Sequence, residues 1–114
     1  MTYQLQLQHF TFNSVTIDLY VPDAADVQQW YFQQQADNAA VVFPYWSKVW
    51  AAAYAMSLFI TAHPHYVVDK KVIEPACGLA LPSMVAAKYA SHVWCSDNVA
   101  DAIEVVKQSV NYNA

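Results

Sequence analysis

The chain has 114 residues, of which 57% are hydrophobic, 15% aromatic and only 12% charged. A chain of this length forms at most one domain, burying about two thirds of its unfolded surface, and this composition excludes a disordered tail. The net charge is −4, with five lysines and no arginine. The chain therefore lacks the basic stripe that nucleic-acid backbones require, and we expect no nucleic-acid partner.

No targeting or membrane segment is indicated. The first ten residues lack the basic and apolar regions of a signal peptide. The apolar run over 49–62 has 14 residues, whereas a membrane span needs about 20. Cys77 and Cys95 form neither a CxxC pair nor a disulfide framework. We therefore expect a cytoplasmic protein without membrane contact.

The N-terminal third predicts a β-hairpin followed by a helix. Residues 3–20 alternate between apolar and polar with period two around a turn at Asn13-Ser14, which is typical of two half-buried strands. Tyr3, Leu5 and Leu7 form one apolar face of the first strand. A helix then opens after Pro22, with Asp23 as its N-cap.

The rest of the chain predicts a second helix and then a β-α-β-α unit. Ser47 is the expected cap of a helix that ends near Ala62, and this helix is apolar nearly all round, so we expect it to be buried on more than one side. The two remaining strands are short and apolar, which is typical of a parallel sheet covered on both faces. The elements of this unit are a strand over 72–75, a helix over 82–90, a strand over 92–96 and a helix from 98 or 99 to about 111, capped by Asn98 and Asp101.

The turn between the first of these strands and its helix is the candidate ligand site. Gly78, the only glycine in the chain, lies there between the small residues Ala76 and Ala80. Such a turn lets the backbone approach a nucleotide, and Asp97 follows Gly78 by 19 residues, near the spacing of an acid that binds ribose hydroxyls. Two alternatives stay open: an ordinary strand–helix turn, and an Asp97 that serves a helix N-terminus.

The turn resembles a known family motif. The pattern Glu74-x-Ala76-x-Gly78-x-Ala80 looks like the first motif of class I S-adenosylmethionine-dependent methyltransferases. The segment 44–53, PYWSKVWAAA, resembles the stretch before that motif in the group that includes nicotinamide N-methyltransferase and small protein-lysine methyltransferases. The resemblance covers 44–113 and only the N-terminal half of such a domain.

The resemblance implies an α/β fold with a partial Rossmann-like sheet, preceded by the hairpin and two helices. Residues 1–43 would form an N-terminal extension, and 44–114 the cofactor-binding half of the domain. The family motif has glycines where Ala76 and Ala80 stand, and their methyl groups are tolerated if φ is negative.

S-adenosylmethionine or S-adenosylhomocysteine is the ligand that the resemblance implies. Glu74 would contact its amino-acid end, Asp97 its ribose and Asn98 the region of the adenine, while Trp50 would pack along it. The indole of Trp50 offers a flat face and one N–H donor, although a plain core aromatic is the alternative. The residues implied to bind the cofactor are Trp50, Glu74, Ala76, Cys77, Gly78, Asp97 and Asn98.

The implied reaction is methyl transfer to a nitrogen nucleophile, such as a protein lysine or a small amine, and no catalytic residue is assigned. Cys77 lies near a helix N-terminus, which favours a lowered pKa, but it has no identifiable His or Asn partner for nucleophilic catalysis. We predict no metal site, because His63 and His65 have no third ligand of suitable spacing.

Two other functions are weighed against methyl transfer. One is a truncated, non-catalytic methyltransferase-like protein that covers its open sheet edge by dimerising or by binding a protein partner. The other is a nucleotide-binding oxidoreductase fragment, which the absence of G-x-G-x-x-G spacing disfavours.

Overall fold

The alternating N-terminal segment forms the predicted antiparallel hairpin. β1 (Leu5–Phe12) and β2 (Val15–Pro22) pair along their whole length. Asn13 in the turn has φ 55°, a conformation that asparagine adopts more readily than most residues. The structure, a computed structural model, describes residues 3–114, so the first two residues of the predicted extension lie outside the described part of the chain.

The register of the hairpin decides which side chains enter the core. Phe10 lies opposite Ile17, and both are buried. Leu5 and Leu7 lie five and three residues before Phe10, and these odd separations place the predicted apolar face at the start of β1 on the opposite face of the hairpin. Tyr20 shares that second face and packs edge-on against Tyr112 near the C-terminus. Both faces of the hairpin therefore carry apolar contacts.

The first helix begins as predicted. α1 spans Ala24–Asp37, and the Asp23 side chain accepts a hydrogen bond from the backbone N–H of Asp26 at 3.0 Å. Such a bond satisfies one of the N–H groups that a helix start leaves unpaired. Val27 is the one buried residue of this helix, so α1 lies largely on the surface.

The second helix differs from its prediction in two ways. It is α2 (Ala51–Ala62), and its N-cap is Trp50 rather than Ser47. The Ser47 hydroxyl instead donates to the Pro44 carbonyl within a 3₁₀ turn over Tyr45–Ser47. Only two α2 residues are buried, and its large apolar residues Tyr54, Met56, Leu58 and Phe59 are 41–52% exposed. The predicted burial on several sides is wrong, because α3 and the hairpin cover only one side of α2.

The predicted β-α-β-α order is confirmed. A 3₁₀ turn over Pro64–Tyr66 leads into β3 (Lys71–Glu74), α3 (Leu81–Ala86), β4 (His92–Cys95) and α4 (Ala100–Asn113). β3 and β4 are parallel neighbours. α3 ends four residues before its prediction because its last turn tightens: Lys88 and Tyr89 donate to carbonyls three residues back.

The two-stranded parallel sheet is covered on one face only. α3 packs against both strands, and Cys95 packs with the cluster that holds Val106 of α4. On the opposite face Ile73 and Trp94, which are direct neighbours across the two strands, are 71% and 47% exposed. The predicted cover of both faces is therefore wrong for the described residues. We call the surface formed by Lys71, Ile73, His92 and Trp94 the open sheet face.

One core joins the N-terminal extension to the rest of the chain. Its buried members come from the hairpin, from α2 and the turn after it, and from the β3–α3 turn, α3 and α4: Phe10, Phe12, Ile17, Leu19, Val21, Ile60, Val67, Leu79, Leu81, Val85, Ala86 and Val105. Between residues 3 and 114, no helix is long and apolar enough to span a bilayer.

Candidate functional site

A cleft of about 660 Å³ opens where β3 and β4 end. One wall is the β3–α3 turn together with the segment after β4. The other wall is the loop over 42–50, with Tyr3 and Trp30 beside it. The carboxyl ends of parallel strands are where α/β sheets generally bind ligands. All the residues predicted to bind a cofactor line this one cleft: Trp50, Glu74, Ala76, Cys77, Gly78, Asp97 and Asn98.

The β3–α3 turn is built from three left-handed residues at alternate positions. Ala76, Gly78 and Ala80 have φ of 53°, 54° and 63°. The methyl groups of Ala76 and Ala80 were expected to be tolerated if φ is negative, and φ is positive at both. An alanine in this region of φ costs roughly 1–2 kcal/mol relative to a right-handed one. The turn holds this strained conformation at two alanines while keeping glycine at its centre.

Gly78 is needed for its backbone conformation more than for its small volume. A methyl group added there would lie 3.6 Å from the Trp46 carbonyl oxygen, an ordinary van der Waals distance. Its positive φ, by contrast, strains any L side chain. The 3.6 Å separation also places the backbone of Trp46 directly over the turn, so the two walls of the cleft meet there.

Asp97 fastens the turn to the segment after β4. One carboxylate oxygen accepts the Gly78 N–H at 2.9 Å and the other accepts the Val99 N–H at 3.0 Å. The predicted capping pair of Asn98 and Asp101 is wrong, since the N-cap of α4 is Val99 and no side chain bonds there. A carboxylate has about four lone-pair sites, so Asp97 keeps acceptor capacity beyond these two bonds.

Glu74 lies half-buried beneath the turn. The hydroxyl of Ser83, in α3, donates to its carboxylate at 2.5 Å. Burial raises the pKa of Glu74 above its ordinary value, and the hydrogen bonds from Ser83 oppose part of that rise. The sequence did not identify Ser83 as a site residue. Its position just after Pro82, in the first turn of a helix that follows the candidate turn, was the feature that could have indicated it.

Cys77 does not have the character of a nucleophile. Burial, followed by the neighbouring Cys95 and the carboxylates of Glu74 and Asp97, raises its pKa to about 12. The lowered pKa expected from a helix N-terminus is therefore wrong, because desolvation and nearby negative charge oppose thiolate formation. Cys77 contributes its backbone N–H, which donates to the Ser96 carbonyl and continues the pairing of the two strands.

Trp50 stands at the start of α2, with 44% of its surface exposed. The alternative of a plain core aromatic is therefore wrong. Its indole N–H donates to the Tyr45 carbonyl at 2.8 Å, so the predicted donor is already used within the chain. The Lys48 ammonium lies 4.7 Å from the ring centroid. What Trp50 offers the cleft is the flat surface of its indole.

The wall opposite the turn is aromatic, and most of it was not predicted. Besides Trp50 it holds Tyr3, Trp30, Phe43, Tyr45 and Trp46. These rings contact one another at centroid distances of 5.3–6.2 Å. The density of aromatic residues over 43–50 was the signal for part of this wall, whereas nothing in the local sequence placed Tyr3 or Trp30 beside the turn.

Comparison with known proteins adds no assignment: no protein-family model matches the chain, and no curated protein matches it. Within residues 3–114, no three His, Cys, Asp or Glu side chains come together in a way that could hold a metal ion. His63 and His65 lie near each other with ring centroids 6.0 Å apart. The residues of the cleft are therefore the basis of the function proposed below.

Proposed function

We propose that this chain is the cofactor-binding half of a class I S-adenosylmethionine-dependent methyltransferase. Its Rossmann-like β-α-β-α unit would hold the cofactor, and methyl transfer would go to a nitrogen nucleophile such as a protein lysine or a small amine. A cytoplasmic location belongs to the same proposal. Activity in this proposal requires the remainder of the fold, supplied by further sequence or by a partner.

One observation carries the proposal. The motif residues from Glu74 to Ala80, Asp97 and Trp50, which are far apart in the sequence, line the same cleft at the ends of two parallel strands. The Gly78 N–H donates a hydrogen bond to the Asp97 carboxylate, which connects the turn to the acid. The sequence spacing of these two residues is that of a nucleotide site. An ordinary strand–helix turn requires neither the acid nor the aromatic wall.

Each group has a physical role in that assignment. The left-handed turn brings backbone close to the ligand without bulky side chains, and the free lone pairs of Asp97 accept hydrogen bonds from ribose hydroxyls. Glu74 would accept a hydrogen bond from the ammonium group of the cofactor's amino-acid end. When bound, S-adenosylmethionine supplies an electrophilic methyl group on a sulfonium. The chain orients it and excludes water along the aromatic wall, which is the main protein contribution to such a transfer.

Calorimetric titration with S-adenosylhomocysteine tests the proposal on this chain. We expect binding that NAD does not reproduce. Absence of heat at millimolar S-adenosylhomocysteine, or micromolar affinity for NAD, would contradict the assignment.

The variant Asp97→Asn tests the site. The amide oxygen can still accept one backbone N–H, but the charge and half of the acceptor capacity are lost, so we expect S-adenosylhomocysteine affinity to fall by about 1–3 kcal/mol. Asp69→Asn is the matched control, because Asp69 is exposed and does not line the cleft. Equal affinities in the two variants would remove Asp97 from the site.

A second candidate is an interaction module without catalysis, which dimerises or binds a protein partner. The open sheet face favours it, because parallel sheets are normally covered on both sides. β3 and β4 pair only with each other among the described strands, so each has an unpaired edge. Such an edge is a template for pairing with another chain.

A further inference from the structure

The wall of the cleft opposite the proposed cofactor turn contains an aromatic corner formed by Tyr3, Trp30 and Trp46. The Tyr3 ring meets Trp30 nearly at a right angle, 85° between planes with centroids 5.7 Å apart. It meets Trp46 at 55° and 6.2 Å. All three side chains are half-buried and line the cleft. Tyr3 therefore contacts both tryptophans, and the three rings form one apolar cluster on the wall of the cleft.

The electrostatics of this corner favour a positive charge. Asp101 also lines the cleft, and its negative charge adds to the burial that raises the pKa of Tyr3. Three carboxylates line the cleft in all, those of Glu74, Asp97 and Asp101, against the single cation Lys48. Aromatic faces attract cations through their quadrupole, and a carboxylate adds to that attraction.

Within residues 3–114, no lysine ammonium lies over the rings of this corner. The one cation–π pair in the described part of the chain is Lys48 over Trp50, which lies at the Tyr45 side of the aromatic wall. The sequence contains no arginine. The Trp30 and Trp46 rings therefore carry no cation from the described part of the chain.

We propose that the aromatic corner of Tyr3, Trp30 and Trp46, with Asp101 beside it, is a binding site for a ligand that carries a methylated or quaternary ammonium group. Such a group is large, weakly hydrated and without N–H donors when quaternary, so it is held by ring faces and a nearby carboxylate rather than by hydrogen bonds. The site shares the cleft with the proposed cofactor but does not depend on the identity of that cofactor.

A pair of isosteric probes tests this site. Choline carries a quaternary ammonium, and 3,3-dimethylbutan-1-ol has the same shape with carbon in place of nitrogen. We would titrate each into the ¹⁵N-labelled protein at constant ionic strength and follow the indole N–H signals. We expect choline to bind in the millimolar range and to move the signals of Trp30 and Trp46, while that of Trp94 on the open sheet face stays fixed. The neutral alcohol should bind at least about fivefold more weakly.

Variants separate the corner from nonspecific binding. Trp30→Leu and Asp101→Asn should each weaken choline binding at least about threefold. Trp94→Leu, which changes an exposed tryptophan outside the cleft, should leave it unchanged. Asp101 is exposed, so its variant keeps the test valid even if Trp30→Leu fails to fold. Equal binding of the two probes, no shift at any millimolar choline concentration, or an equal effect of Trp94→Leu would overturn the proposal.

The same samples distinguish this proposal from the proposed function. Choline binding without S-adenosylhomocysteine binding would overturn the methyltransferase assignment and support the ammonium site. Binding of S-adenosylhomocysteine without choline selectivity would do the reverse.

Discussion

The β3–α3 turn places two alanines in a conformation that favours glycine, and they differ in their surroundings. Ala76 is exposed, whereas Ala80 is 1% exposed. The left-handed strain is similar at both, since their φ values are 53° and 63°. Only at Ala80 does the methyl group also contribute buried apolar contact.

This difference predicts that the same substitution, alanine to glycine, changes the free energy of unfolding by different amounts at the two positions. Ala76→Gly should raise the free energy of unfolding by about 0.5–1 kcal/mol, because relief of strain exceeds the added entropy of the unfolded chain. Ala80→Gly should be close to neutral, since it also removes a buried methyl worth about 0.8 kcal/mol. Urea denaturation of both variants measures this. A destabilised Ala76→Gly would show that the alanine conformation is not strained.

Glu74 predicts a pH dependence of stability. Its pKa in the folded protein lies above the ordinary value of 4.5, so folding takes up a proton between those two values. The stability of the wild type relative to Glu74→Gln should therefore increase as pH falls from neutral through the folded pKa, and level off below 4.5. Thermal or urea unfolding at several pH values measures the difference. A difference that falls with decreasing pH would mean that Ser83 and not burial dominates.

At the scale of elements, α4 is attached to the hairpin by packing and by hydrogen bonds between its side chains and the backbone of β2. The Ser109 hydroxyl accepts the Tyr20 N–H at 2.9 Å. One turn later, Asn113 accepts the Asp18 N–H at 3.1 Å and donates to the Asp18 carbonyl. These side chains form hydrogen bonds with backbone groups on the outer edge of β2. That edge therefore does not present a row of unpaired N–H and C=O groups there.

Ser109→Ala should destabilise the protein by about 1–3 kcal/mol, because it leaves the Tyr20 N–H without its partner in a part-buried position. Gln108→Ala is the control, since Gln108 is the exposed neighbour on the same helix. Chemical denaturation of the two variants measures the effect. Equal stabilities would mean that water replaces the Ser109 hydroxyl.

Elements with strong local signals were predictable. Period-two alternation predicted the hairpin, and the Asp23 cap predicted the start of α1, because both signals act between residues close in sequence. The start of α2 was not predictable in this way. Serine is a residue type that commonly caps helices, but the Ser47 hydroxyl donates to the Pro44 carbonyl in a preceding 3₁₀ turn. The residue pattern does not show whether this hydroxyl will bond to that carbonyl or to a backbone N–H at the start of α2.

For the site, the sequence identified the turn and its acid but not the opposite wall. The sequence spacing indicated Gly78 and Asp97 as site residues, and the two are joined by a hydrogen bond. Tyr3 and Trp30 reach the cleft only through packing of the N-terminal segment and α1 against the 43–50 loop, so local patterns carried no signal for them. The left-handed conformation at two alanines was also hidden, because residue type argues against it.

At the scale of the whole molecule, apolar surface is unevenly distributed. The open sheet face exposes Ile73 and Trp94, and α2 exposes most of its apolar residues while carrying no charged one. Exposed apolar surface of this kind commonly marks a contact with another protein. If the chain self-associates through the open sheet face, its mass in solution should depend on concentration.

Ile73→Lys should then shift the protein toward the monomer without loss of stability, because Ile73 is 71% exposed and a lysine there would place a charge in the apolar contact. Val42→Lys is the control, since Val42 is 73% exposed and lies in the loop of the cleft wall. Light scattering over a range of concentrations measures both. An unchanged mass for Ile73→Lys would remove the open sheet face from any self-association.

Because Gly78 is the only glycine in the chain, labelling with ¹⁵N-glycine reports on the centre of the proposed cofactor turn with a single amide signal. Titration of that sample with S-adenosylhomocysteine tests the central claim most directly. We predict that the Gly78 signal moves in a saturable way and that NAD at the same concentrations leaves it in place. A Gly78 signal that stays fixed at millimolar S-adenosylhomocysteine would contradict the assignment of this turn to a methyltransferase cofactor site.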